Sequence, residues 1–164
     1  MIVRHHLERH RSSNSGRLAH LALPSSSQII DHGGAGGLAQ LPPLDGAWLL
    51  YPLGAITYGC PNPAPQQIVV LDATWSQARR MYRKLAPLRG LPVLHLPDTP
   101  MVTARLRESP GPGRVSAIEA IARALRIVDE PAAAAALERL FDLAVARAQA
   151  QGRRIGGLSG LGSP

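Results

Sequence analysis

Cysteine is almost absent: Cys60 stands alone among 164 residues. A single thiol excludes an intrachain disulfide and a cysteine-cluster zinc site, and it fits a reduced protein of the cytoplasm. Aromatic residues are nearly as scarce, at 4%, so Leu, Val, Ile and Ala must build the core. Acidic residues are few, 11 Asp+Glu against 18 Lys+Arg. Lysine itself is reduced to Lys84. No apolar run approaches the ~20 residues a membrane span needs. Met1-Ile2-Val3 gives way to Arg4-His5-His6 too soon for a signal peptide. There is no P-loop, no G-x-G-x-x-G opening a helix after a strand, and no serine nucleophile elbow. Kinase, dehydrogenase and serine-hydrolase readings therefore have no motif to stand on.

What is present is enough for one domain. With 45% hydrophobic residues the chain can build a single core, and a domain of this size buries roughly 70% of the surface its unfolded chain exposes. The expected domain covers residues 1–150, with 151–164 as a Gly- and Ser-rich flexible tail. The formal charge of +7 rests almost wholly on arginine. Arginine binds phosphate in a bidentate manner and stacks on bases, which suits RNA. A GC-rich coding bias also favours Arg, Ala, Gly and Pro, so the charge alone supports nucleic-acid binding only weakly.

Along the chain, residues 1–11 are rich in His and Arg. Ser12-Ser13-Asn14-Ser15-Gly16 is a turn or cap cluster, and Arg17 to Leu23 reads as a short helix. Residues 31–46 read as loop. Ala47-Trp48-Leu49-Leu50 is a strand running into Tyr51-Pro52-Leu53-Gly54. A Pro-rich linker at 61–65 precedes a strand–helix unit at 68–86. Leu91 to Leu96 is a third strand, and Ser109 to Gly113 is a loop. Ser116 opens a helix with Glu119 at capping-box spacing. Pro131 suits the first turn of a last helix, 131–150, lined by Leu137, Leu140, Phe141 and Ala144. Strands alternating with helices predict an α/β fold: a parallel sheet flanked by helices.

One stretch concentrates the chemistry. Ile68-Val69-Val70-Leu71 ends on Asp72, and an amphipathic helix begins within two residues. Ligands of open α/β sheets bind outside the carboxyl ends of the strands. Taken alone, Asp72 reads more simply as a cap or turn aspartate, with Thr74 as the rival cap. The helix turns Trp75, Ala78, Met81, Tyr82 and Leu85 to one side and Arg79, Arg80, Arg83 and Lys84 to the other. With Arg89, residues 72–89 hold five basic groups against one acid. A solvated charged face is the common outcome, but few internal ion-pair partners exist here, which favours an external polyanion. His5, His6, Glu8, His10 and His20 hint at a metal, yet no fixed scaffold surrounds them. They read better as polar, partly exposed residues. His95 lies in an apolar strand and reads as a satisfied core or pocket histidine.

Leu71-Asp72-Ala73-Thr74-Trp75-Ser76-Gln77-Ala78-Arg79-Arg80-Met81 closely resembles the signature of the DTW-domain family, the tRNA-uridine aminocarboxypropyltransferases. Other pieces follow in the family's order. Asn14-Ser15-Gly16-Arg17-Leu18 resembles its Asn-Thr-Gly-Arg-Leu segment, with Ser15 for Thr. Leu50-Tyr51-Pro52 resembles a strand-end loop, and Leu91-Pro92-Val93 the next strand. Leu106-Arg107 and Ser116-Ala117-Ile118-Glu119-Ala120 resemble its Leu-Arg and Ser-Thr-x-Glu-Ala elements, with Ala117 for Thr. The likeness spans roughly residues 3–150. Many members begin with a cysteine cluster that looks like a small zinc site; this sequence has no counterpart.

The resemblance implies a SPOUT-like sheet with a C-terminal trefoil knot that binds S-adenosylmethionine. It implies transfer of the 3-amino-3-carboxypropyl group to N3 of a tRNA uridine, with methylthioadenosine released and no metal required. Asp72, Thr74 and Trp75 would be catalytic, with Asp72 handling the N3 proton. Leu50, Tyr51, Pro52, Leu94, Leu96, Ser116 and Glu119 would enclose the cofactor, with His95 in the same loop. Arg17, Arg79, Arg80, Arg83, Lys84, Arg105 and Arg107 would meet RNA, and Arg17, Arg105 or Arg107 could instead hold the cofactor carboxylate. The expected partner is tRNA, with no membrane and no obligate protein partner, in the cytoplasm. The alternatives are a non-catalytic RNA-binding domain of the same fold, a SPOUT RNA methyltransferase, or an aminocarboxypropyltransferase acting on ribosomal RNA.

Overall fold

Parallel strands need long crossovers, and the helices that supply them must cover both faces of the sheet. The computed structural model has this form. It describes residues 1–11, 14–51, 61–96 and 115–151. Strands β1 (Ile2–His5), β2 (Ile29–His32), β3 (Ala47–Leu50), β4 (Gln67–Asp72) and β5 (Val93–Leu94) make one sheet in the order β2-β1-β4-β3-β5. Every neighbouring pair is parallel. The helices are α1 (Ser15–Ala22), α2 (Trp75–Lys84), α3 (Ala86–Arg89), α4 (Ala117–Ile127) and α5 (Pro131–Ala150).

Period-2 alternation divides the strand side chains between two layers. Val3, Leu49 and Val69 face α2 and α3, packing on Ala78, Met81, Leu85 and Leu88. Ile2 faces the other way, onto Ala19 of α1, Ile118 and Ala122 of α4, and Leu137, Phe141 and Val145 of α5. Leu50, Val70 and Leu94 complete that second layer against Ala124. The first helix after β1 and the helix after β4 thus lie on opposite faces of adjacent strands. This arrangement makes the gap between the C-terminal ends of β1 and β4 the topological switch point of the sheet.

Two strands depart from the expectation. β1 lies within the His- and Arg-rich segment, and β2 takes in residues 31 and 32, expected as loop. Both are only four residues long, and each carries two polar residues at its C-terminal end. Arg4 lies in register between Asp31 of β2 and Asp72 of β4. Its Nε and Nη2 donate to Asp31 at 2.7 and 3.0 Å, so a buried charge enters a central strand with its partner beside it. The third expected strand shortens to Val93–Leu94.

The last helix spans Pro131–Ala150 as expected, with Pro131 in its first turn. Its most buried line is Ala134, Leu137, Phe141 and Val145; Leu137 and Phe141 are buried as expected, while Leu140 and Ala144 are only partly buried. Among the described residues, no helix is long and apolar enough to cross a membrane. The Ser109–Gly113 loop, Cys60, and the tail beyond residue 151 lie outside the described residues.

Candidate functional site

Asp72 is the last residue of β4 and is 3% exposed. It does not cap the helix that follows. Thr74 does so, with a complete capping box: Gln77 N–H donates to Thr74 Oγ1, and Thr74 N–H donates to Gln77 Oε1 at 2.8 Å. Four residues of local sequence thus pair the Thr74 and Gln77 N–H groups at the start of α2. The Asp72 carboxylate has a different task.

That task is set from the opposite face of the sheet. Asn14 caps α1 through Oδ1, which accepts from Arg17 N–H. Its amide nitrogen donates twice, to Glu8 O at 2.8 Å and to Asp72 Oδ2 at 2.9 Å. Asn14 thus satisfies the helix end, the preceding loop and the strand-end carboxylate with one buried side chain. A cap that accepts once and donates twice calls for Asn, since an ionised Asp has no donor and a Ser hydroxyl only one.

Gly16 explains the next position of the motif. A Cβ built on Gly16 would sit 2.6 Å from the Asp72 carboxyl carbon. Only a residue without a side chain lets α1 come this close to the carboxylate. Ser15 then reaches across 102 residues of sequence: its Oγ accepts from Ala117 N–H at 3.1 Å. The two departures from the family pattern leave this contact in place, because Ser15 keeps the hydroxyl that Thr would offer and Ala117 contributes only its backbone. Ser116 caps α4, donating its hydroxyl to Glu119 Oε2 at 2.6 Å and its N–H to the same oxygen at 2.9 Å. The other oxygen, Glu119 Oε1, is buried without a hydrogen-bond donor among the described residues.

The structure therefore brings Asp72, Thr74, Ser116 and Glu119 to one end of the sheet, and adds Asn14, Ser15 and Gly16, which were not among the expected site residues. Leu50 and Leu94 also lie at strand ends there, but their side chains are buried between the sheet and α4. Any ligand contact they make is through backbone. Tyr51 is buried and stacks on Tyr82, with ring centroids 5.2 Å apart and planes at 17°. Burial pushes its hydroxyl pKa up, against the pull of Arg79 and Arg83. Trp75, His95 and Leu96 are partly buried.

The basic residues divide. Arg79, Arg80, Arg83 and Lys84 are all exposed along α2, and Arg17 is exposed at the start of α1. Pro52, Arg105, Leu106 and Arg107 lie outside the described residues. Glu8, expected to be partly exposed, is fully buried and pairs with Arg11 at 3.4 Å. Among the described residues, no group of three or more His, Cys, Asp or Glu side chains is arranged to hold a metal ion.

A family model described as the DTW domain matches residues 1–149. The chain belongs to the DTW-domain family. Membership is consistent with a role in tRNA modification, and the match takes in every element of the sheet and the site just described. No solved structure matches the chain.

The resemblance could name the Asn14-Ser15-Gly16-Arg17 segment but not the task of each residue in it. Their partners, Asp72 and Ala117, are 58 and 102 residues away. The one local signal for Asn14 is its place in the turn or cap cluster at residues 12–16.

Proposed function

We propose that this DTW-domain protein transfers the 3-amino-3-carboxypropyl group of S-adenosylmethionine to N3 of a uridine in tRNA, releasing methylthioadenosine. The observation that carries the proposal is the Asp72 carboxylate at the switch point of a parallel sheet. It is left out of helix capping by Thr74 and gripped by Asn14. A buried carboxylate held in one orientation at a strand end suits proton abstraction.

Two features of the chain fit the cofactor. Glu119 Oε1 is a buried carboxylate oxygen without a donor among the described residues, and an ammonium group would satisfy it. The first turns of α1 and α4 meet at the Ser15–Ala117 bond, and helix N-termini favour a carboxylate. The amino-acid end of S-adenosylmethionine carries both charges. When bound, it supplies a carbon activated by the adjoining sulfonium, so no metal is needed to assist the leaving group.

The rest is done by the chain. Asp72 accepts the proton from uridine N3, and Asn14 holds Oδ2 so that the carboxylate keeps one orientation while it does so. The ends of β3 and β5, at Leu50, Tyr51, Leu94 and Leu96, shape the wall around the cofactor with backbone groups. Trp75, partly exposed beside the cap, would stack on a base. The exposed Arg79, Arg80, Arg83 and Lys84 draw in the RNA backbone, and Arg17 adds charge at the mouth of the site. The catalytic contribution is mainly placement of two reactants. The proposal includes a trefoil knot of the SPOUT type in the C-terminal part and work in the cytoplasm.

The test is a product analysis. The protein is incubated with tRNA and S-adenosylmethionine, and nucleosides and sulfur products are identified by mass spectrometry. An aminocarboxypropylated uridine with methylthioadenosine is the expected result. S-adenosylhomocysteine would mean methyl transfer, and no S-adenosylmethionine turnover would leave an RNA-binding domain.

A further inference from the structure

Three imidazoles cluster at the C-terminal ends of β1 and β2, and the proposed transfer uses none of them. His5 and His32 are register partners on the two strands. Alternation turns both toward the layer of α2, opposite to Arg4, Asp31 and Asp72. The His5 and His6 ring centroids are 4.7 Å apart, and those of His5 and His32 6.4 Å. Lys84, at the exposed end of α2, lies within electrostatic reach of His32.

The segment after β2 is shaped around one of these rings. Added Cβ atoms on Gly33 and Gly34 would come within 2.9 and 3.1 Å of the His6 ring, and both glycines have positive φ. The backbone thus supports the ring directly, yet His5 and His6 stay partly exposed while His32 lies beneath them at 5%. A histidine held only for packing would be covered.

Backbone contacts favour the neutral state of two rings. His5 Nδ1 accepts from Leu7 N–H, and His32 Nδ1 accepts from Ala39 N–H, both at 3.3 Å. Each neutral ring then carries its proton on Nε2, and a second proton must displace a backbone donor. Burial first, then the neighbouring imidazoles, hold His5 below the ordinary histidine range. Burial, Lys84 and His6 do the same to His32. The acids nearby are engaged: Glu8 pairs with Arg11, and Asp31 with Arg4 and, at 3.9 Å, Arg9. His10 also lies near Asp31 and adds positive charge when protonated.

We propose that His5, His6 and His32, together with Lys84, form a subsite for a phosphate of the RNA backbone, and that the imidazoles take up protons when the phosphate binds. The inference rests on the reading of tRNA as substrate and extends the basic face of α2 around the edge of the sheet. Without a ligand, clustered imidazoles repel protons. A phosphate beside them reverses that cost and raises their pKa. Between the free and bound values, binding takes up protons, so affinity rises as pH falls through that window. Above the bound value it is flat.

The experiment measures tRNA affinity at constant ionic strength from about pH 8 to about pH 6. Wild type, the His5→Gln/His6→Gln pair, His6→Gln alone and a His20→Gln control are compared, with circular dichroism to establish folding. Wild-type affinity should rise about three- to tenfold as pH falls, the scale of pairing one phosphate with one newly protonated imidazole. The double variant should lose most of that rise, His6→Gln should lose part of it, and His20→Gln should keep it. A wild-type affinity independent of pH, or a slope undiminished in the folded double variant, would overturn the subsite while leaving the transfer reaction standing. A wild type that binds no tRNA at any pH would overturn both.

Discussion

Two helices begin beside Asp72, and they are built in opposite ways. α2 is specified by its own sequence. Thr74 and Gln77 cap each other, Ala78, Met81 and Leu85 face the core, and four exposed cations face out. α1 is specified from far away. Its cap, Asn14, is anchored on Asp72, its second residue is a glycine because Asp72 lies against it, and its first residue accepts from Ala117. The self-contained helix serves the surface. The dependent helix builds the site. A binding face tolerates local folding, because charge acts over several ångströms. The proposed proton transfer requires atoms fixed to fractions of an ångström, and tying three distant segments together supplies such fixing.

The contrast breaks first at Gly16. Alanine is the better helix former by about 1 kcal/mol, so a helix that depended only on itself would gain from Gly16→Ala. The dependence of α1 on Asp72 predicts the reverse: the new methyl displaces the carboxylate and lowers turnover about 100-fold, with stability lost on the order of 1–3 kcal/mol. Steady-state rates and thermal unfolding measure both, and a more stable, fully active variant would end the claim that α1 is dependent.

Charge reversal of α2 tests the other half. Changing Arg79, Arg80 and Arg83 to Glu should weaken tRNA binding about 10- to 100-fold at moderate salt and flatten its salt dependence, with the fold intact. Filter binding across a salt series is the measurement. Unchanged binding would make the face merely solvated.

The smallest effect belongs to Thr74. Thr74→Ala removes a local cap and should cost about 1 kcal/mol in thermal or chemical unfolding. A much larger loss would show that α2 also depends on distant contacts.

The same division decides what the sequence made legible. β3, β4, the capping box at Ser116 and the span of α5 follow from neighbouring residues, and the pattern of apolar and cap positions predicts each; Thr74 was legible only as the rival cap to Asp72. β1 and β2 do not. Ile2-Val3-Arg4-His5 has the polarity of a surface segment until Arg4 meets Asp31 and His5 meets His32, residues 27 positions away. Asp72 was visible as a strand-end carboxylate, yet whether it capped a helix depended on Thr74, and what held it depended on Asn14. Pairwise chemistry across long sequence separations leaves no periodic trace, so the scaffold can be read locally and the site only after folding.

The central claim is that Asp72 handles the uridine proton, and Asp72→Asn tests it most directly. Asparagine keeps an oxygen for the Asn14 amide and removes the base. With tRNA and S-adenosylmethionine, wild type should yield aminocarboxypropylated uridine and methylthioadenosine. Asp72→Asn should bind tRNA normally yet lose at least about 100-fold in that product, the scale of removing a general base. Near-normal turnover by the folded variant would contradict the account.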